Sequence, residues 1–473
     1  MIAVARTRHS SVGAVVAPLL VAGLALSLSG PNLLLAIFAV VALCVGVVLL
    51  WRPAETPILL FIFCYQWMQA SIAVFHANWL GQDVQNYSTF GGQHERSIAL
   101  SLAALLALAV GMRLAAGPLD EAIGRRARAI ALHQPVSRFF RAYVIAYGVS
   151  VLSAAGARAI PALAQPLLAA AGVKWIFFMA LAYAAFVRGS VLNRYFVIAF
   201  VVEFVSGFGG FFSDFKTVFF FTFFAFFMTG ARVSPRTIAM TTAMAALVVL
   251  LGVVWTAVKV EYRSYISGGG TSQSVAVDLD RRIDKLAELV SNLDGPALAR
   301  ATDKMIRRIS YSELFGVVLN RVPEFTPYEN GAITLDAISR PFMPRALFPD
   351  KAIIDDTRRT NFYTGGLFYV AQATSISLGY ITEMYIDFGE YFMFVAVLAI
   401  GYFSGRIFRW LTRSPRCGPL FGMCAASQTL LAASFLESSF TKLFGGLIAS
   451  VLVIYLTIRY VLPRAFAWIA QEA

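Results

Sequence analysis

Histidine and cysteine are scarce in this chain, four of each in 473 residues. None of the histidines, His9, His76, His94 and His133, falls in the long polar stretch 260–376. A Ser-His-Asp hydrolase or a zinc site built there is therefore disfavoured. Cys44, Cys64, Cys417 and Cys424 lie in or beside apolar segments, so neither a disulfide framework nor a thiolate metal site is indicated. No internal repeat is evident at any period, which weakens a repeat-built transporter. Charge is sparse too, at 14% of residues.

What the chain has instead is apolar surface. Hydrophobic residues make up 59% of it and the mean hydropathy is +0.71, more than a soluble protein of this length can bury. The expected class is an all-α integral membrane protein. The net charge of +13 does not imply nucleic acid, because the stretch 260–376 holds 14 Lys and Arg against 14 Asp and Glu. The surplus sits in short connections, where basic residues report membrane orientation.

At about 20 apolar residues per span, helices are expected near 12–29, 32–51, 57–76, 96–116, 140–157, 167–187, 195–213, 217–230, 237–258, 385–411, 418–436 and 443–463, about twelve spans. The segment 217–230 is short for a crossing, so a re-entrant pair with its predecessor remains open. The first residues, MIAVARTRHSS, and the apolar run to 28 have the look of a signal peptide. Pro31 and a second apolar run follow at once, which favours a first span left in place. Arg6, Arg8, Arg52, the cluster at Arg113, Arg125, Arg126, Arg128, Arg138 and Arg141, then Arg188, Arg194, Arg232, Arg236, Arg413 and Arg416 fall on one side under this count. That side is expected to be cytoplasmic, with both termini on it. The organisation is then nine spans over 1–258, a periplasmic loop over 259–376, and three spans over 377–473.

Within the loop, DLDRRIDKLAELVSNL and ALARATDKMIRRISYSELFGVVLNRV place apolar residues three and four apart. They predict two amphipathic helices joined at Asp294, Gly295 and Pro296, lying over the membrane face. Pro323, Pro327, Pro341, Pro344 and Pro349 then predict an extended segment over 322–366.

The outer face concentrates guanidinium groups: Arg300, Arg307, Arg308, Arg321, Arg340, Arg345, Arg358 and Arg359, with Lys351. Arginine's planar fork matches two phosphate oxygens at once, so a pyrophosphate is a natural ligand; solvated helix faces are the bland alternative. Lys174, Lys216 and Glu203 sit at or near membrane depth, where an unpaired charge is costly. Glu383 and Asp387, four apart, share a helical face. Either can be the base that deprotonates a sugar hydroxyl, or the partner of an Arg. His76 and His94 flank the first outer loop and are weak candidates.

These residues carry a likeness. The late periplasmic loop, the phrase PRALFPDK and the phrase SLGYITEMYIDFGEYFMFVAVLAIGYFSG resemble the Wzy-type polymerases of oligosaccharide repeat units, which build O-antigen and exopolysaccharide in bacteria. Thr382, Glu383, Tyr385, Phe388, Gly389, Gly401 and Gly405 take the family's motif places, although Thr382 stands where a small residue is expected. Lys216 in SDFK matches the family's basic outer turn, and Tyr262 with Arg263 its aromatic-Arg phrase. The likeness covers roughly 204–409. It implies metal-independent and cofactor-free glycosyl transfer between undecaprenyl-diphosphate-linked donor and acceptor glycans at the outer face of a bacterial inner membrane. The implied catalytic residues are Glu383, Arg308, Arg340 and Arg345. Lys216, Arg263, Arg307, Arg321, Lys351, Arg358, Arg359 and Tyr385 would hold pyrophosphate or glycan. Implied partners are membrane lipids, a chain-length regulator and a flippase, and no nucleic acid. The alternatives are an O-antigen ligase, which this loop without a histidine disfavours, and a transporter of lipid-linked sugars, which would want charges along several mid-membrane helices.

Overall fold

A chain with this many apolar residues must satisfy its backbone N–H and C=O groups internally, and helices do so segment by segment. In the computed structural model, residues 12–27, 30–208, 214–230, 234–268, 277–343, 347–348, 350–367 and 375–464 are described. Among them every regular element is helical. The first group is α1 (Val12–Ser27), α2 (Leu33–Leu50), α3 (Ile58–Trp79), the single turn α4 (Val84–Tyr87) and α5 (His94–Ala116). Then come the amphipathic α6 (Glu121–His133), α7 (Val136–Ala159), α8 (Ala164–Ala171), α9 (Lys174–Phe186), α10 (Arg194–Phe208), α11 (Lys216–Met228) and α12 (Pro235–Ile266). The polar region contains α13 (Leu279–Ser291), α14 (Gly295–Ile309), α15 (Ser312–Leu319), α16 (Ala332–Ser339) and α17 (Asp356–Thr364). The chain then re-enters apolar sequence with α18 (Tyr380–Thr412), α19 (Gly418–Leu430) and α20 (Phe440–Leu456).

Eight helical stretches are long and apolar enough to cross a membrane: Leu33–Leu50, Ile58–Trp79, His94–Ala116, Val136–Ala159, Pro161–Phe186, Thr237–Ile266, Tyr380–Thr412 and Phe440–Arg464. The protein is thus an all-helical membrane protein. The other four expected spans correspond to shorter helices: 16 residues in α1, 15 in α10, 13 in α11 and 13 in α19. Positions 209–213, which the sequence assigns to the end of the seventh span, lie outside the described residues.

The tightest junction is α5 against α18. A Cβ on Gly401 would stand 2.2 Å from the Leu108 carbonyl oxygen, and one on Gly405 2.6 Å from that of Met112. Glycines four apart thus let the two backbones touch, the usual way apolar helices gain packing where water offers no driving force. α18 is not straight. Gly389, at φ 72°, breaks it into 380–388 and 390–412, with the Tyr328 ring where a Cβ would go. The first piece carries Glu383, Tyr385 and Asp387; the second is the apolar length.

The first amphipathic helix of the polar region forms as α13, but the second is corrected: it ends at Ile309 and the chain turns extended at Ser310. The Tyr311 N–H bonds to the Gln69 carbonyl at 3.0 Å, and a separate, fully buried α15 follows. Asp294 Oδ1 accepts the Ala297 N–H at 2.7 Å and Pro296 sits in the first turn of α14, where its missing N–H costs nothing. The expectation of an extended segment over 322–366 is corrected: α16, a 3-10 turn at Arg340–Phe342 and α17 lie within it. Asp387 on α18 caps α16, its oxygens accepting the Ile333 N–H at 3.0 Å and the Thr334 N–H at 2.7 Å. Such a cap is invisible to local sequence.

At one end of the bundle, basic residues gather on the turn after α5. Arg52 donates to the carbonyls of Gly117 at 2.9 Å and Pro118 at 3.0 Å, Arg113 to Gly117 at 2.9 Å, and Arg413 to Pro118 at 2.9 Å. Three of the connections that the charge count puts on one side therefore meet in space.

Candidate functional site

At the opposite end, Glu383 is 1% exposed and fully engaged. Its Oε1 accepts from Arg359 Nη1 at 2.9 Å, and its Oε2 accepts the Phe440 N–H at 2.6 Å. Phe440 opens α20, so the carboxylate meets the positive end of that helix as well as a guanidinium. Arg359 also faces Asp336 at 4.0 Å. Burial alone pulls the Arg359 guanidinium down; Glu383, Asp356 and Asp336 outweigh it and hold the group above its ordinary value. Arg340 completes this network, donating to Asp336 at 2.8 Å and to the Ala352 carbonyl at 3.0 Å. Lys351 donates to the carbonyls of Arg340 at 2.5 Å and Met343 at 2.9 Å. These four predicted residues come together, but as a lattice bonded to its own acids and carbonyls.

Two members of this region escape a reading of local patterns. Asp356, 3% exposed, accepts from Lys442 at 2.7 Å and from Ser439 Oγ at 3.3 Å. Its Oδ1 has no hydrogen-bond partner among the described residues. Beside it, Glu437 accepts from Gln69 at 2.5 Å through Oε2, while no hydrogen bond to its Oε1 occurs among the described residues. Tyr311, whose hydroxyl donates to the Ser377 carbonyl, lies among the acids: burial first, then Glu437, Asp356 and Glu383, push its phenol well above the usual range. The signal was the phrase LESSFTK, an acid and a lysine in the turn between the last two spans.

Next to Glu437 the charge changes sign. Tyr65 on α3 faces both Glu437 and Arg308. The charged groups facing Lys259, which is 7% exposed, are Arg308, Arg263 and Lys304, all cations contributed by the packed pair α12 and α14. Arg308 and Lys259 make no ion pair among the described residues. Lys216, at the start of α11, lies 5.2 Å from the centre of the Phe435 ring, which packs edge-on against Tyr65 at 5.7 Å. Two like charges ~8 Å apart still repel by about 2 kcal/mol at an effective dielectric of about 20. An anion placed between its members would relieve that repulsion. Lys259 and Lys304 are not among the residues that the loop's arginine count singles out.

The remaining candidates are dispersed. Arg307 is held by Asp303 at 3.1 Å, by the Tyr87 carbonyl at 3.1 Å and over the Tyr87 ring at 4.4 Å. Arg321 stands over Phe325 at 5.8 Å, packed against Gly365. Tyr385 is 3% exposed, donates to the Val322 carbonyl at 2.8 Å and packs on Phe315 and Tyr328, so it serves the core. Arg358 is exposed on α17. Arg345 lies outside the described residues. Asp387 is spent on capping α16. His94 is bonded to Val84 at 3.0 Å and to Ser312 at 3.0 Å, and His76 to Tyr87 at 2.8 Å. Glu203 is paired with Lys174 and accepts from Tyr143 at 2.9 Å.

The fold and these charges define an all-helical membrane protein with a polar site at one end of its bundle. The chain belongs to the family described as Domain of unknown function (DUF8712), whose model matches residues 56–462. No curated protein and no solved structure matches it.

Proposed function

We propose that this protein polymerises undecaprenyl-diphosphate-linked oligosaccharide repeat units at the periplasmic face of a bacterial inner membrane. In this reading the four shorter helices complete about twelve spans, both termini are cytoplasmic, and α13 to α17 lie outside. The single observation that carries it is that Lys259 faces Arg308 and Lys304, with Arg308 and the half-open carboxylate of Glu437 both beside Tyr65 and Lys216 reaching Tyr65's neighbour Phe435.

The chemistry follows from those groups. An acceptor sugar hydroxyl attacks the anomeric carbon of the donor glycan; the new C–O bond forms as the bond to diphosphate breaks. Negative charge grows on the leaving diphosphate, and cations already in place stabilise it at no cost of reorganisation. Arg308, Lys259 and Lys216 serve that role, while Glu437 Oε1 takes the hydroxyl proton. Glu383, with both oxygens bonded and almost no exposure, positions Arg359 and α20 and does not act as the base. Arg340 and Lys351 stiffen the same lattice.

A deletion strain tests the reading: its surface glycan, run on a gel, should show single-repeat caps where the parent shows ladders. Complementation with Glu437→Gln at normal protein level should leave the caps. Ladders in the deletion strain would contradict it, and complete loss of lipid-linked repeats from the outer leaflet would favour a transporter.

A further inference from the structure

At the end of the bundle away from this site, a cleft of about 630 Å³ is lined by Arg406, Arg409, Trp410, Arg413, Ser414 and Arg416, together with Pro415. It contains four guanidinium groups and no acid. Arg406, Arg409, Trp410 and Arg413 are spaced 0, 3, 4 and 7 along α18, which puts them on one helical face. Arg413 is tied to the Pro118 carbonyl and Arg409 lies against Gly117. Arg406 and Arg416 are exposed and make no ion pair or hydrogen bond among the described residues.

The same face continues toward the middle of the helix, and there it is apolar. Val395 is 63% exposed, Tyr402 47% and Phe403 36%, against 38% for Trp410. Eleven residues separate Val395 from Arg406, three turns of helix, so they stack along one line. From the middle of the span to its end the line thus runs from aliphatic to aromatic to cationic. An acyl chain, an interfacial glycerol and a phosphate occur in that order along a phospholipid, and a tryptophan beside arginines is the usual side-chain set at the headgroup level.

We infer that this face of α18 binds an anionic phospholipid, its acyl chains along Val395, Tyr402 and Phe403 and its phosphate between Arg406 and Arg416. The site is separate from the proposed diphosphate site and stands whether or not the polymerase reading does. A soluble phosphate shares the headgroup chemistry but would not use the apolar half of the line.

The test is native mass spectrometry of the full chain released from nanodiscs of phosphatidylcholine doped with phosphatidylglycerol. Retained phosphatidylglycerol adducts should exceed phosphatidylcholine adducts. Arg406→Gln with Arg416→Gln should weaken retention roughly thirtyfold, the product of two lost surface charges, while Arg126→Gln with Arg128→Gln on α6 should not. Equal retention of both lipids, equal loss in the α6 pair, or full displacement by millimolar inorganic phosphate would overturn the assignment.

Discussion

Glu437 and Glu383 are both carboxylates at the same end of the bundle, and their surroundings differ. Glu383 has no spare oxygen and almost no exposure, so truncating it leaves a guanidinium and a helix N–H without their anion. Glu383→Ala is expected to cost about 3–5 kcal/mol, read as lost thermal stability and low membrane abundance rather than as a slow enzyme. Arg308 is the reverse case, exposed and without an ion pair among the described residues. Arg308→Ala should leave the melting temperature of the purified protein within a degree or two and lower glycan formation by roughly 10²–10³, the range for removing one preorganised charge. Arg307→Ala, which loses a carboxylate, a carbonyl and an aromatic face, should show the opposite split, with the larger effect on stability. The motif phrase around Glu383 directs attention to it from sequence. Its lack of a free oxygen depends on Phe440 and Arg359, 57 and 24 residues away.

Elements were legible where their cause was local. The loop helices α13 and α14 follow from apolar spacing and from Asp294 with Pro296, whereas the break at Ser310, where the Tyr311 N–H turns to the Gln69 carbonyl, leaves no local signal and the spacing runs on through it. α17 carries a local cap too, Asp355 accepting the Arg358 N–H at 2.9 Å, yet the surrounding prolines masked it. α16 could not be read at all, because its cap is Asp387, about fifty residues on. Asp387→Ala is expected to loosen α16 at a cost of about 1–2 kcal/mol, seen as faster amide exchange confined to that helix. The close approach of α5 and α18 was hinted at by Gly401 and Gly405, but only the structure shows which partner they admit. Gly401→Leu should force the backbones apart, and no folded protein should be recoverable in detergent.

At the scale of the whole molecule, hydropathy gave the class and most of the long helices, since burial of apolar surface is a bulk property. It could not weigh the four shorter helices, for which length and composition do not decide crossing. Nor could composition separate the two kinds of cation at the end of the bundle that carries the candidate site. Arg340, Lys351 and Arg359 are bound to acids and carbonyls, whereas Lys259, Lys304 and Arg308 face one another, a distinction made entirely by which helices pack. A reporter fused after α12 should be accessible from the periplasm if the proposed topology holds. The central claim, that these cations grip a diphosphate as it leaves a sugar, is tested most directly with purified protein in liposomes given undecaprenyl-diphosphate-linked repeat units and no ion gradient. Wild-type protein should lengthen the glycan, and Lys259→Ala with Arg308→Ala should not, at equal protein and unchanged melting temperature. Equal chain lengthening by the double variant would contradict the account.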